Sequence, residues 1–252
     1  MITYQKKFIR IAEYWHAERA ADLDVDLVRF FQQSEPLTGA YCREFYSILL
    51  DLRLDQDTLL ARMKKTTRYE ILRAGVSDNL IYEIWNGNEG PILDEFCDHY
   101  DRFAEQKAQP KLDRAWLMLL ANGSHLNISR VRDAEAETLV WHAYHRASDR
   151  VTLLYSASLL SEVSDTSLKT RIGRANRFHH WQDILHFKHR GISTYDFGGW
   201  YEKKEDTARL NINKFKEGFG GEIVKTYICE RALTLKGHLF LKTRRLILGN
   251  AI

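Results

Sequence analysis

The sequence predicts an α+β fold in which helices flank a mixed, largely antiparallel central sheet. Three observations carry that expectation. Residues 126–131, 138–144 and 151–156 are apolar, β-rich segments in close succession, separated by the charged turns Arg132-Asp-Ala-Glu and Arg146-Ala-Ser-Asp, the pattern of an antiparallel meander. Stretches with apolar residues at helical spacing precede and follow the meander, which places helices against a sheet. Neither a G-x-G-x-x-G loop nor a Walker loop occurs, so a doubly wound nucleotide fold is not expected.

The elements follow in order. The first forty residues are mixed, with an amphipathic stretch over 27–33 that ends before Pro36, and are expected to form an N-terminal cap. Residues 45–52 read as a buried strand. Asp55 or Asp57 can cap a helix running through Leu59, Leu60, Met63, Ile71 and Leu72, with Gly75 as its stop. A short strand over 80–85 leads into the turn Asn86-Gly-Asn-Glu-Gly-Pro, which launches a helix over 92–105, and a third helix covers 112–120. After the meander comes a polar loop. Residues 175–189 then place Phe178, Trp181, Ile184 and Leu185 at helical spacing, with Gly191 as the stop. A short strand over 193–197 runs into Gly198-Gly199, and residues 210–215 read as a helical turn entering the elbow Gly218-Phe-Gly-Gly. A strand over 223–229 and a basic helix over 235–246 close the chain.

Composition narrows the class. A chain of 252 residues with 44% hydrophobic content fills a sizeable core, and 14 Gly and 3 Pro leave no low-complexity tract. The apolar runs are much shorter than the roughly 18 residues of a membrane span, and Arg10, Glu13 and His16 interrupt the opening segment, so a cytoplasmic chain without membrane contact is expected. The three cysteines, Cys42, Cys97 and Cys229, are odd in number and widely spaced, which suits reduced thiols better than a disulfide frame or a zinc site. A net charge of +3 is too small to imply nucleic-acid binding. Its distribution is less even: Lys169, Arg171, Arg174, Arg177, Lys188 and Arg190 stand against Asp183 alone, with four histidines among them, a segment suited to a phosphate-bearing ligand.

Two stretches carry a family resemblance. The first begins at Leu50-Asp-Leu-Arg-Leu-Asp-Gln-Asp-Thr and runs on as a basic helix to Ala74. The second joins Gly173-Arg-Ala-Asn-Arg-Phe-His-His-Trp, Tyr195-Asp-Phe-Gly-Gly and Phe215-Lys-Glu-Gly-Phe-Gly-Gly in that order. Over residues 45–230 the chain resembles the FemAB-like branch of the GNAT acyltransferase superfamily. The resemblance implies a GNAT-like domain over residues 81–252 and a partial second GNAT-like portion over residues 1–80. It also implies transfer of an acyl group to an amine. Because the chain has room for one complete domain and lacks a helical arm, the expected donor is an acyl-coenzyme A thioester and the expected acceptor a nucleotide-linked amino sugar of surface-polysaccharide synthesis. Aminoacyl-tRNA is the alternative donor, and a non-catalytic ligand-binding protein of the same fold is the third reading.

Acyl transfer needs a held carbonyl, an outlet for the ammonium proton and a stabilised oxyanion. Arg171, Gly173, Arg174, Ala175 and Asn176 are the candidate coenzyme A residues, read as a turn entering a helix whose free amides bind pyrophosphate, although Arg171-Ile-Gly-Arg-Ala is one position shorter than the usual GNAT signature. An ordinary capped helix with a solvated basic face is the bland alternative. Asp196, at a strand end before Phe-Gly-Gly, either serves the acceptor amine or is a turn carboxylate bonded to the Gly198 and Gly199 amides. Tyr155 is the candidate acid for the leaving thiolate, as the resemblance implies, and core packing is its bland alternative. Lys214, Lys216, His142 and Trp200 complete the candidate acceptor site. His179, Asp183 and His186 share one helical face but lack an arguable further ligand, so no metal is expected. Of His142 and His145, one is expected to face the site and the other solvent.

Overall fold

Ten strands and seven helices follow one another along the described residues 1–16, 23–159 and 165–248 of the computed structural model. They are β1 (Ile2–Lys6), β2 (Ile9–Trp15), β3 (Leu27–Gln33), β4 (Tyr41–Asp51), α1 (Gln56–Arg62), α2 (Lys65–Ser77), β5 (Ile81–Asn86), α3 (Ile92–Gln106) and α4 (Arg114–Asn122). Then come β6 (Leu126–Arg132), β7 (Thr138–Ala147), β8 (Arg150–Ser158), α5 (Thr166–His189), β9 (Thr194–Gly199), α6 (Thr207–Glu217), β10 (Glu222–Ala232) and α7 (Leu235–Leu248). The chain divides into two units, Met1–Ser47 with Ile223–Ile252, and Ile48–Glu222. No helix among the described residues is long and apolar enough to cross a membrane.

In the first unit the strand order is β1-β2-β3-β10, with β2 and β3 parallel and the other two pairs antiparallel. The mixed residues expected to form a cap are therefore strands, and the amphipathic stretch is β3. Arg29 is held between two buried carboxylates, Glu13 at 2.9 Å and Glu230 at 2.8 Å. The cysteine expectation is corrected here. Cys42 of β4 and Cys229 of β10, 187 residues apart, form a disulfide with Cα atoms 4.0 Å apart, and Cys97 alone is free. Spacing hid the pair because strand order, which makes β4 and β10 neighbours, is not visible along the chain.

In the second unit the order is β9-β8-β7-β6-β5, and the end of β4 from Ile48 lies beside β9. The meander β5 to β8 is antiparallel throughout, as expected. β8 and β9 are parallel, which requires a crossover, and α5 supplies it. Both faces of the meander are covered. Trp141 of β7 meets Phe96 of α3, while its neighbour His142 meets His179 and His180 of α5 on the opposite face. That double cover explains the unbroken buried run Leu139 to His145 in β7. It also corrects the histidine expectation, since His142 is 0% and His145 2% exposed and neither faces solvent.

Two helices differ from their expected bounds. The helix after Asp55 breaks at Met63, whose ψ is 146°, and Lys64 there donates its amide to the Gly218 carbonyl at 2.9 Å. The glycine elbow fits into that break. Gly220 has φ +77° and a Cβ there would run into the Arg62 carbonyl oxygen. Gly75 lies inside α2 instead of ending it. The helix expected from residue 175 starts at Thr166, capped by Asp165, whose carboxylate accepts the amides of Ser167 (3.0 Å) and Leu168 (3.3 Å). The polar loop before it lies partly outside the described residues.

Candidate functional site

α5 turns a polar stripe toward the sheet. Of its eight buried residues, His179, His180 and Asp183 carry titratable groups. β7 answers with His142 and Tyr144, two residues apart and therefore on one face, and β9 with Tyr195. Asp183 is the centre. Its Oδ2 accepts from Tyr144 OH at 2.6 Å and lies 2.8 Å from His142 Nδ1, while Oδ1 accepts from Tyr82 OH at 2.9 Å. Tyr144 OH lies 2.7 Å from Tyr195 OH, which in turn lies 2.8 Å from His180 Nδ1. His142 Nε2 meets Asn176 Oδ1 at 3.1 Å, and His179 Nε2 meets Ser129 Oγ at 2.8 Å.

Burial sets the protonation states. Burial first, and then the negative charge of Asp183, hold the Tyr82, Tyr144 and Tyr195 hydroxyls above the usual phenol range, so all three keep their protons. Burial pushes His179 and His180 well below the usual imidazole range, and both are neutral. His142, His179 and Asp183 bring possible ligand atoms within 4.8 Å of one another. The His142 and His179 rings nevertheless stack, 3.8 Å apart and 7° from parallel, so their planes do not meet within coordination distance and an ion could not meet both lone pairs without one ring turning. His186, named in the sequence trio, instead borders a surface hollow with Trp85, Asn86 and Arg190.

A second cluster lies where β9 meets α6. Asp196 is fully buried; it accepts from Arg150 at 2.6 Å and from the Gly198 amide at 2.8 Å. Gly198 has φ +69°, and a Cβ there would meet the Leu153 carbonyl oxygen at 2.7 Å. The parallel pairing joins Arg150, Val151 and Thr152 to Thr194, Tyr195 and Asp196, and both strands run on past it. The half-buried Lys216 donates from Nζ to the carbonyl of Gly199, the last residue of β9, at 2.7 Å. Burial pushes its ammonium down to about 8, with Asp196 acting in the other direction. Trp200 Nε1 donates to Glu217 at 3.1 Å, and Lys214 is exposed.

The structure thus gathers Asp196, Lys216 and Trp200 around one strand end and places His142 in the Asp183 network. Tyr155 packs among Phe96 and Tyr100 of α3, with ring centroids 6.5 and 5.1 Å away. The expected helix entry at Gly173 is absent, because Arg171 to Asn176 are interior positions of α5. Their charges are also engaged: Arg174 is forked onto Asp78, Arg171 lies 3.6 Å from Asp133, and Arg177 pairs with Glu70 at 2.9 Å. Ala175 is core and Asn176 is the partner of His142. Sequence reading missed Tyr82, Tyr144, Tyr195, His180 and Arg150. The available signal was the polar stripe Asn176, His179, His180 and Asp183 at helical spacing opposite the alternating His142 and Tyr144.

The chain shares its fold with FemX at a TM-score of 0.64 and 11% identity, covering 86% of this chain and 75% of that one. The C-terminal domain of a putative lysylphosphatidylglycerol synthetase from Agrobacterium fabrum aligns at 0.56 and 14% identity, over 87% and 72% of the two chains. L-PGS from Bacillus licheniformis aligns at 0.51 and 13%, over 87% and 73%. At these identities the likeness is one of fold, and the α+β layout of helices flanking a mixed, largely antiparallel sheet expected from the sequence is present. No family model matches the chain, and no curated protein sequence matches it.

Proposed function

We propose that the protein is an acyltransferase in which an amine attacks an activated acyl carbonyl directly and Lys216 stabilises the tetrahedral oxyanion. The observation that carries this reading is the Lys216 ammonium, half-buried at the end of the parallel β8–β9 pair and anchored on the Gly199 carbonyl. A desolvated cation fixed in place before the reaction stabilises developing negative charge more than a solvated one does. Arg150 and the Gly198 amide hold Asp196, and through it the strand end, in position. The fold shared with FemX and with lysylphosphatidylglycerol synthetases supports the same reaction class.

The donor follows from what each candidate requires. The pyrophosphate of acyl-coenzyme A needs free helix-terminal amides and spare cations. Asp165 occupies the Ser167 and Leu168 amides at the start of α5, and Arg171 and Arg174 are paired with acids of the protein. An aminoacyl ester of tRNA makes no such demand on α5, and this favours it over the coenzyme A thioester. For the acceptor, the amine of a nucleotide-linked amino sugar stays the reading, with Lys214, which is exposed, as the cation for its diphosphate. Melting curves with coenzyme A and acetyl-coenzyme A, beside gel shifts with aminoacylated tRNA at two salt concentrations, test the choice. A salt-sensitive shift without thermal stabilisation by coenzyme A supports the tRNA ester; the reverse result restores the thioester.

A further inference from the structure

The hydrogen-bonded chain that ends on His180 has a direction, and the inventory of protons fixes it. The Tyr144 hydroxyl donates to an Asp183 carboxylate oxygen at 2.6 Å. A phenol has one proton. The 2.7 Å contact between Tyr144 and Tyr195 is therefore donated by Tyr195. With its own proton so used, Tyr195 can only accept at the 2.8 Å contact with His180, and Nδ1 of that ring carries the hydrogen. His180 is left neutral with a bare Nε2. Its ring lies among Phe197, Phe215 and Phe219, at centroid distances of 5.0, 5.6 and 5.3 Å, and Lys216 follows Phe215 in the chain. Burial first, and then His142, Lys216 and Arg177, keep the ring unprotonated at rest.

We propose that Asp183, Tyr144 and Tyr195 position His180 as the proton acceptor of the acyl transfer, with Nε2 taking the proton released by the attacking amine; the assignment rests on the acyl-transfer reading above. As the amine nitrogen bonds to the acyl carbon, its surplus proton moves to Nε2. When the bond from that carbon to the leaving oxygen or sulfur breaks, the proton passes to the leaving atom and His180 returns to neutrality. Nδ1–H stays on Tyr195 throughout. The buried carboxylate, acting through two polarised phenols, stabilises the transient imidazolium as a directly bonded carboxylate would, over a longer path. Asp196 is less suited to the task, because its carboxylate already accepts from a guanidinium and from a backbone amide.

The test has a structural arm and a kinetic arm. Long-range nitrogen–proton NMR of the full chain with 15N-histidine, with His180 assigned among the ten histidines by the signals lost in His180→Asn, reports the tautomer at pH 7. The Nδ1–H form is expected in the wild type, and a shift toward the Nε2–H form in Tyr195→Phe. An Nε2–H or doubly protonated ring in the wild type overturns the proposal. Should Tyr195→Phe not fold, Tyr144→Phe interrupts the chain one link earlier and serves the same comparison. In the kinetic arm, transfer is followed from acetyl-coenzyme A and from aminoacylated tRNA, and His180→Asn is expected to lower kcat on the order of a hundredfold with the KM for the donor little changed. An unchanged kcat overturns the role. Absence of wild-type transfer from either donor refutes the acyl-transfer reading instead, and the tautomer is still decided by the spectra.

Discussion

Replacing Asp183 with Ala removes the acceptor of three hydrogen bonds from a fully buried site. Tyr82 OH at 2.9 Å loses its acceptor, whereas Tyr144 OH, 2.6 Å from Asp183, keeps its contact with Tyr195 OH at 2.7 Å, and His142 Nδ1, 2.8 Å from Asp183, keeps one with Tyr144 OH at 3.1 Å. A buried donor left without an acceptor costs about 1–3 kcal/mol, so the variant should lose roughly 1–3 kcal/mol for Tyr82 alone and up to about 9 kcal/mol where Tyr144 and His142 do not re-pair. Domains of this size are stable by only about 5–15 kcal/mol, so the upper end of that loss reaches the edge of folding. Asp183→Asn keeps the shape and one acceptor oxygen and should lose less. Urea unfolding followed by circular dichroism measures both. A double-mutant cycle with Tyr82→Phe separates the network from simple packing. In the wild type Tyr82→Phe removes one bond to a charged acceptor and should cost about 1.5–3 kcal/mol. In the Asp183→Ala background it removes an orphaned hydroxyl and should be neutral or stabilising. An Asp183→Ala protein within about 1 kcal/mol of the wild type, less than the cost of one orphaned donor, would show that the three donors find other partners and that the network is not as described.

The Lys216 ammonium, pushed down to about 8, should make transfer fall as pH rises through 8, because only the charged form holds an oxyanion; a rate that climbs there would assign Lys216 as a neutral base. The same shift affects stability. Between pH 8 and the ordinary lysine value of 10.5 the unfolded chain binds more protons than the folded one, so wild-type stability should rise across that window relative to Lys216→Met, as urea midpoints at pH 7.5 and 10 would show. Thiol titration of unfolded, unreduced protein should find one reactive sulfur, Cys97, and three after reduction; three at the outset would refute the Cys42–Cys229 bond. Gly198→Ala, at φ +69° against the Leu153 carbonyl, should destabilise by about 1–3 kcal/mol and lower transfer by displacing the Asp196 strand end, as unfolding and rate measurements would report.

The meander, the β9 strand and the glycine elbow were legible because each rests on a local signal: period-two apolar runs between charged turns, or glycines where the backbone must approach closely. The split between α1 and α2 was not, since Met63 and Lys64 carry no breaker and the break is set by Gly218, more than 150 residues later. Asp165-Thr-Ser is a fair N-cap sequence, yet the basic run that follows drew the helix start to Gly173. Asp196, Lys216 and Trp200 are close in the chain, so a local reading could single them out, and their meeting near Gly199 follows from β9 and α6 being consecutive elements. The Asp183 network needed the sides of three elements at once. His142 and Tyr144 share a side of β7, but nothing in one sequence says that this side meets Asn176, His179 and Asp183 of α5.

A crossover helix with an apolar stripe is forgiving, since sliding it by one turn exchanges one hydrocarbon contact for another. α5 lacks that tolerance. A slip of one turn, about 5.4 Å along the axis, would carry Asp183 away from Tyr82 and Tyr144 and bury an unpaired carboxylate between apolar neighbours. The polar stripe therefore acts as a key for register: a misaligned helix is excluded at its docking step, and the parallel strands on either side of α5 are brought together in a single alignment.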